Sequence, residues 1–354
     1  MVSGCIMDDR AHAAPDTSPG SQTLYVGGGT PTVLPAQDLA ALVSDVRCAL
    51  SLPKNAEITV EANPGTVEAA GLRCLHQAGV NRLSVGVQSF DDRLLRLLGR
   101  IHTAEQARAV VHQARVAGFQ NLNLDLMLGL PHLTLQGWQE ALCWALELEP
   151  QHLSLYALTV EEGTPLAAQI EAGTVPPPDD DLAADMYEWA EDTLDQAGYL
   201  HYEISNWALP GHACRHNLIY WRNEPYIGLG AGAHSWWGGR RRANLCAPAD
   251  YVRSVQAGQP PVAEEEPIGR DLEMGETMMM GLRLLEEGVA SQRFEQRFGA
   301  SLDQTYATEI AELTACSLLE RVPREGALER IRLTHRGHLL GNSVFARFLP
   351  GKEG

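Results

Sequence analysis

The sequence has no CxxC pair: its seven cysteines, at 5, 48, 74, 143, 214, 246 and 316, are odd in number and never closer than 26 positions. That spacing argues against a zinc knuckle and a disulfide framework, and it predicts most of the thiols to be small buried hydrophobes. Basic residues are also scarce, 27 against 45 acidic ones, for a net charge of −18. A nucleic-acid partner is therefore not expected, because phosphate binding needs a basic surface. No apolar run approaches the ~18 residues of a membrane span and no charged-then-apolar leader opens the chain, so no stable membrane insertion and a cytoplasmic location are expected. What is present, 45% hydrophobic and 20% charged residues over 354 positions, suits one large α/β domain of about 220 to 250 residues with a smaller module.

Glycine is conspicuous in "LYVGGGTPTVLP" (24–35), where three in a row follow a short apolar run. Consecutive glycines are costly to order, so bare backbone must be needed there. Leu24 to Val26 reads as a strand end, and Ala36 to Leu50, apolar at Leu39, Leu42, Val43 and Val46, reads as an amphipathic helix. A strand-to-helix turn of this kind offers backbone N–H groups to a small anionic ligand, although a tight turn that binds nothing is equally consistent with the glycines alone.

Residues 1–22 lack periodicity and predict a disordered tail. After them "EITVEA" (57–62), "RLSVGVQ" (82–88), "NLNLDLM" (121–127) and "HLSLYAL" (152–158) alternate with helical stretches, the βαβ pattern of a parallel sheet or barrel. Glu61, Gln88, Asp125 and Tyr156 each stand at or near the C-terminal end of such a strand, the rim where (β/α) barrels bind ligands. Downstream, "VPPPDDDL" (175–182) leads into a helix to about Ala197, with Asp180 or Asp181 as its N-cap, and "HYEISNWA" (201–208) reads as one further strand. The expected organisation is a barrel core over 23–245, a linker over 246–267 and a C-terminal module over 268–354. Within it, 222–265 reads as lower order, and the module reads as three helices with a short β-wing, winged-helix-like but without a dense basic recognition helix.

Together "GGGTPT" (27–32), "EANP" (61–64), "GVNRLSVGVQSFDDRLLRLLGRIH" (79–102), "NLDLMLGLP" (123–131), "YEISNWA" (202–208) and "HNLIYW" (216–221) resemble the HemW-like radical SAM haem chaperones, which are related to oxygen-independent coproporphyrinogen III oxidase. The resemblance implies a partial (β/α)6 barrel of radical SAM type, its first β/α unit missing, followed by the mostly helical module. It implies that Gly28, Gly29 and Thr30 hold the aminocarboxylate end of S-adenosylmethionine, with Glu61, Gln88, Arg100 and Asp125 as the further contacts. It also implies haem binding by His216, Asn217, Tyr220 and Trp221, with His216 as a candidate iron ligand. If 216–221 is helical, His216 and Tyr220 share one face at i and i+4. The resemblance extends to transfer of haem to an apo-haemoprotein; the alternative is oxidative decarboxylation of coproporphyrinogen III.

Two further features are weighed against that reading. Arg240, Arg241 and Arg242 could pair with haem propionates but read better as a charged surface loop, and the methionines of "ETMMMGL" (276–282) read as core filler. His234, Trp236 and Trp237 are candidate wall residues. The resemblance also implies a [4Fe–4S] cluster on a CxxxCxxC loop upstream of the glycines, and only Cys5 stands there. The expectation is therefore a start upstream of Met1, and no reductive cleavage of S-adenosylmethionine by the chain as written.

Overall fold

Alternate positions of the central strands carry opposite chemistry, and folding separates them onto two faces. The structure, a computed structural model, describes residues 23–324 and 327–351; the expected tail over 1–22, with Cys5, lies outside these. The described chain divides into two compact units, one ending at His216 and one beginning at Asn217.

The first unit runs β1 (Thr23–Val26), α1 (Ala36–Ala49), β2 (Glu57–Ala62), α2 (Ala69–Gln77), β3 (Arg82–Gln88), α3 (Asp92–Leu97), α4 (Ala104–Ala117), β4 (Asn121–Leu128), α5 (Leu135–Glu147), β5 (His152–Ala157), α6 (Pro165–Glu171), α7 (Asp180–Gln196), β6 (Leu200–Glu203) and β7 (Asn206–Ala208). The seven strands form one curled sheet in the order β1-β2-β3-β4-β5-β7-β6, parallel from β1 to β5. Its convex face is apolar: Ile58, Val60, Leu83, Val85, Leu122, Leu124, Leu153 and Leu155 pack under Leu39, Val43, Leu72, Leu75, Val110, Trp138 and Leu142 of the helices. Each such side chain contributes about 1.5–3 kcal/mol by leaving water. The intervening residues, Glu57, Thr59, Glu61, Arg82, Ser84, Asn123, Asp125, His152 and Ser154, line the concave face. The half-barrel expected from the sequence is therefore present, and its polar interior is what positions the site.

Three local expectations are corrected. "HYEISNWA" is not one strand but a hairpin, β6 and β7, because Ile204 and Ser205 reverse the chain; β7 then runs antiparallel to β5. The N-cap of α7 is Asp179, whose Oδ1 accepts the Leu182 N–H at 3.1 Å; Asp180 and Asp181 occupy its first turn. Asp179→Ala is expected to lower stability by about 1 kcal/mol in urea unfolding while Asp180→Ala leaves it within a few tenths, the reverse of what the sequence expectation requires. Among the described residues the thiols are mostly not buried: Cys48, Cys143, Cys246 and Cys316 are exposed, Cys74 is half-buried and only Cys214 is fully enclosed, because the spacing of Cys48 on α1 and Cys143 on α5 puts them on the solvent faces of those helices.

The second unit opens within α8 (Arg215–Trp221), which begins at the end of the first, and continues β8 (His234–Trp237), β9 (Arg240–Asn244), α9 (Pro248–Gln256), β10 (Val262–Pro267), α10 (Arg270–Gly281), β11 (Val289–Ala290), α11 (Ser291–Phe298), α12 (Leu302–Thr305), α13 (Ala307–Ala315), β12 (Leu319–Arg324), β13 (Ala327–Leu333), α14 (His335–Leu339) and α15 (Gly341–Phe345). The stretch over 222–265 is thus ordered, not low in structure: β8, β9 and β10 form an antiparallel sheet. Arg240 and Arg242 pair across it with Glu265, and Arg241 donates to Glu276 of α10 at 2.7 Å. They stand on a strand, committed to carboxylates, and not in a loop. Met278 of the methionine run is fully enclosed, as core filler should be, while His234 and Trp237 are exposed. β11 follows α10, and α11 to α13 separate it from β12 and β13, with which it forms the sheet β11-β13-β12.

Candidate functional site

At the C-terminal rim of the sheet, β1 ends in the glycine loop. Gly27 has no room for a side chain: a Cβ there would lie 2.7 Å from the Tyr25 ring and 2.8 Å from the Glu61 carboxyl. Gly28 and Gly29 adopt φ of +83° and +88°, the left-handed region open to glycine. The Gly28 N–H donates to Glu61 Oε2 at 3.2 Å and the Tyr25 hydroxyl to Glu61 Oε1 at 2.8 Å. Thr30 starts a 3-10 turn, Pro31–Val33, so α1 begins only at Ala36. The N-terminus of α1 therefore does not abut the glycines, as a direct strand-to-helix turn would require.

Neighbouring rim loops are tied to this one. Thr32 Oγ1 lies 2.6 Å from Thr66 Oγ1 and accepts the Asn63 N–H at 3.3 Å. Asn63 Oδ1 in turn meets His102 Nδ1 at 3.1 Å, and His102 Nε2 meets the Val87 carbonyl at 3.2 Å. His102 is buried, and burial lowers its pKa. It bolts the loop carrying Arg100 to the ends of β2 and β3. Gln88 sits at φ +64° and the Ser89 N–H reaches back to the Val87 carbonyl at 2.8 Å. This is a γ-turn of the strained, positive-φ kind, of the sort held only where the surroundings enforce it. Gly86 leaves room for the Gln88 amide, which would stand 3.0 Å from a Cβ there.

These elements bring the rim candidates into one electrostatic neighbourhood. Asp125 accepts from Asn123 Nδ2 at 2.7 Å and Ser84 Oγ at 3.3 Å, yet its pKa is pushed up to about 6, first by desolvation and then by the Glu61 carboxylate. Burial lowers the pKa of Arg100, opposed by the negative charge of Asp125. Burial, with Glu61 and Asp125 behind it, raises the Tyr25 phenol; Tyr156, at the end of β5, is exposed. Gly28, Glu61, Arg100 and Asp125 thus share the rim, Gly29 and Thr30 extend the same loop, and Gln88 pairs in register beside Asp125 at Leu126. Two carboxylates, a guanidinium and glycine backbone suit a zwitterionic amino acid carrying a hydroxylated sugar.

Below the rim lies a buried chain that motif reading did not single out. Asn123 Oδ1 accepts from His152 Nδ1 at 2.6 Å, His152 Nε2 accepts from the Tyr202 hydroxyl at 2.9 Å, and that oxygen accepts the Cys214 N–H at 3.4 Å. The directions fix His152 as the neutral Nδ1–H tautomer, and burial holds its pKa well below the ordinary value. Arg82 is fully enclosed nearby. The alternation in β4 and β5 marks Asn123 and His152 as polar inward positions, but nothing in the sequence joins them to Tyr202 or Cys214.

His216 lies at the other end of the sheet. Its Nδ1 is 2.9 Å from Thr23 Oγ1, its ring stacks on Tyr25 with centroids 5.1 Å apart, and its N–H donates to Glu57 Oε1 at 3.0 Å. Burial pushes its pKa down to about 4, so the imidazole is neutral at physiological pH, the form that binds metals. Thr23 and Glu57 open their strands whereas Glu61 lies four residues on, roughly 13 Å along β2 at about 3.3 Å per residue. The two candidate sites are therefore anchored at opposite ends of β2, with Tyr25 between them, its hydroxyl on Glu61 and its ring on His216. His216, Asn217, Tyr220 and Trp221 do share a helix, α8; Tyr220 packs edge-on against Tyr226 at 4.6 Å, and Trp221 lies under the Arg283 guanidinium at 4.4 Å.

Residues 8–145 match the Radical SAM superfamily and 270–340 the HemN C-terminal domain. The chain is similar to "Heme chaperone HemW" of Lactococcus lactis, 38% identical over 93% of this chain and 84% of the relative, and to that of Bacillus subtilis, 38% identical over 94% and 86%. The Escherichia coli protein of that name is 46% identical over 60% of this chain and 55% of its own. Among solved structures, coproporphyrinogen III oxidase (HemN) from Escherichia coli, described as a radical SAM enzyme, superposes with a TM-score of 0.77 at 25% identity, over 92% of this chain and 77% of that one.

Proposed function

The chain belongs to the HemW-like radical SAM haem chaperones, and from that premise we propose that it binds S-adenosylmethionine at the rim and haem at His216, and passes the haem to an apo-haemoprotein. The observation that carries the haem half is the neutral imidazole of His216, held through Nδ1, on a helix that also presents Tyr220 and Trp221. An imidazole fixed by one nitrogen is the common form of a proximal haem ligand. At the rim, Gly28 to Thr30, Glu61, Gln88, Arg100 and Asp125 supply donors and acceptors that fit the aminocarboxylate and the ribose hydroxyls.

Among the described residues no three cysteines lie within reach of one metal ion. When bound, a [4Fe–4S] cluster would supply an electron to the sulfonium; the residues described here bind and orient. No helix among the described residues is long and apolar enough to cross a membrane.

Titration with hemin tests this reading. The wild type is expected to give a shifted Soret band, and His216→Ala to weaken binding roughly tenfold or more. Equal affinity of the two proteins would reject His216 as the ligand. Decarboxylation of coproporphyrinogen III under anaerobic, reducing conditions would favour the oxidase instead, and none is expected.

A further inference from the structure

Haem and S-adenosylmethionine binding account for the rim and for α8, but not for the polar side chains that β1 and β2 place at their first positions. Thr23 and Glu57 are adjacent in the sheet register, and both are buried, 8% and 7% exposed. Glu57 spends its carboxylate on one segment: Oε2 accepts the Arg215 N–H at 3.0 Å, Oε1 accepts the His216 N–H at 3.0 Å and faces the Cys214 thiol at 3.5 Å. A helix as short as α8, seven residues, has no stability of its own, so a buried acceptor at its start fixes where the His216 backbone stands. Tyr25, two residues along β1 from Thr23 and on the same face, then supports one side of the ring. Thr23 Oγ1 meets Nδ1 at 2.9 Å. Backbone, ring face and one ring nitrogen are all specified by side chains of two neighbouring strands.

We propose that Thr23 is the positioning residue for His216: its hydroxyl oxygen accepts the Nδ1–H, selecting the tautomer whose Nε2 binds iron, on a backbone that Glu57 anchors. This rests on the reading of His216 as the haem ligand. The hydrogen bond makes the imidazole a stronger donor to the metal, as partners of metal-bound histidines do. Valine at position 23 keeps the shape and removes the acceptor; serine keeps the acceptor and removes a methyl.

The test compares wild type, Thr23→Val, Thr23→Ser and His216→Ala by hemin titration and by the iron–histidine stretching frequency of the ferrous complex, with circular dichroism as the check on folding. Thr23→Val is expected to bind haem about tenfold more weakly and to lower the stretching frequency, and Thr23→Ser to restore both. Wild-type affinity and frequency in Thr23→Val, alongside lost binding in His216→Ala, would overturn the role of Thr23 and leave His216 as ligand. Undiminished binding in His216→Ala would overturn both. Should Thr23→Val fail to fold, the wild-type frequency decides: a value in the range of hydrogen-bonded proximal imidazoles supports the role, and one in the range of unbonded imidazoles overturns it.

Discussion

Glutamine in place of Glu61 is expected to weaken S-adenosylmethionine binding by roughly 10- to 100-fold, the range for losing a charge-assisted hydrogen bond in a partly desolvated site. Glu61 is the residue on which the rim converges. It accepts the Gly28 N–H and the Tyr25 hydroxyl at once, so its carboxylate both orders the glycine loop and presents negative charge where an ammonium would sit. Glutamine preserves length and can still accept from Tyr25, but its amide turns donors toward the Gly28 N–H and carries no charge. Calorimetric titration measures the effect. Hemin affinity should change far less, because Thr23 and Glu57 hold His216 without touching Glu61, which reaches it only through the Tyr25 hydroxyl. Equal S-adenosylmethionine affinity in wild type and Glu61→Gln would remove this residue from the site.

Asp125→Asn is expected to move affinity and stability in opposite directions. The Asp125 carboxyl has its pKa raised to about 6 in the folded protein, above the ~3.9 of an unfolded aspartate. A group raised in this way favours the folded state below the unfolded pKa and loses that contribution as pH climbs through the folded one. At pH 7 the ionised Asp125 is therefore a burden, and asparagine, which keeps an acceptor for Asn123, should stabilise the protein by about 1–2 kcal/mol. The gain should fade on acidification and vanish below about pH 4. Ligand binding runs the other way: the carboxylate is the better acceptor for ribose hydroxyls. Wild-type affinity should rise as pH passes from about 5 to about 7, and Asp125→Asn should show a flat, weaker profile. Urea unfolding and ligand titration across that range measure both arms. A destabilised Asp125→Asn at pH 7 would show that this carboxylate is structural.

What the sequence could and could not show follows from how each feature is encoded. The parallel sheet was legible because its strands alternate: in "NLNLDLM" positions 122, 124 and 126 are all leucine, and one arrangement buries those side chains under helices; that the sheet forms only part of a barrel was implied by the family resemblance. The rim was legible because strand ends and glycine turns mark positions. The hairpin in "HYEISNWA" was not, since Ile204 and Ser205 carry none of the glycine or asparagine signals of tight turns. Nor was the Asn123–His152–Tyr202–Cys214 chain, whose members lie on β4, β5, β6 and a loop and become a network only when the register of these strands and of β7 between β5 and β6 is known. The exposure of Cys48 and Cys143 was missed because residue type alone was used where helical phase decides. The placement of His216 at the opposite end of β2 from Glu61 likewise depends on the tertiary packing of α8.

That separation is also where the account is most exposed to test. Haem-loaded protein should be titrated with S-adenosylmethionine while the Soret band is followed, and the bound stoichiometry of each ligand determined. Anchors at opposite ends of β2, roughly 13 Å apart along the strand, predict one haem and one S-adenosylmethionine per chain together, with the haem spectrum retained at saturation. Release of one ligand by the other, in proportion to occupancy, would mean that both compete for a single pocket and would contradict the assignment of the rim and of His216 to different ligands.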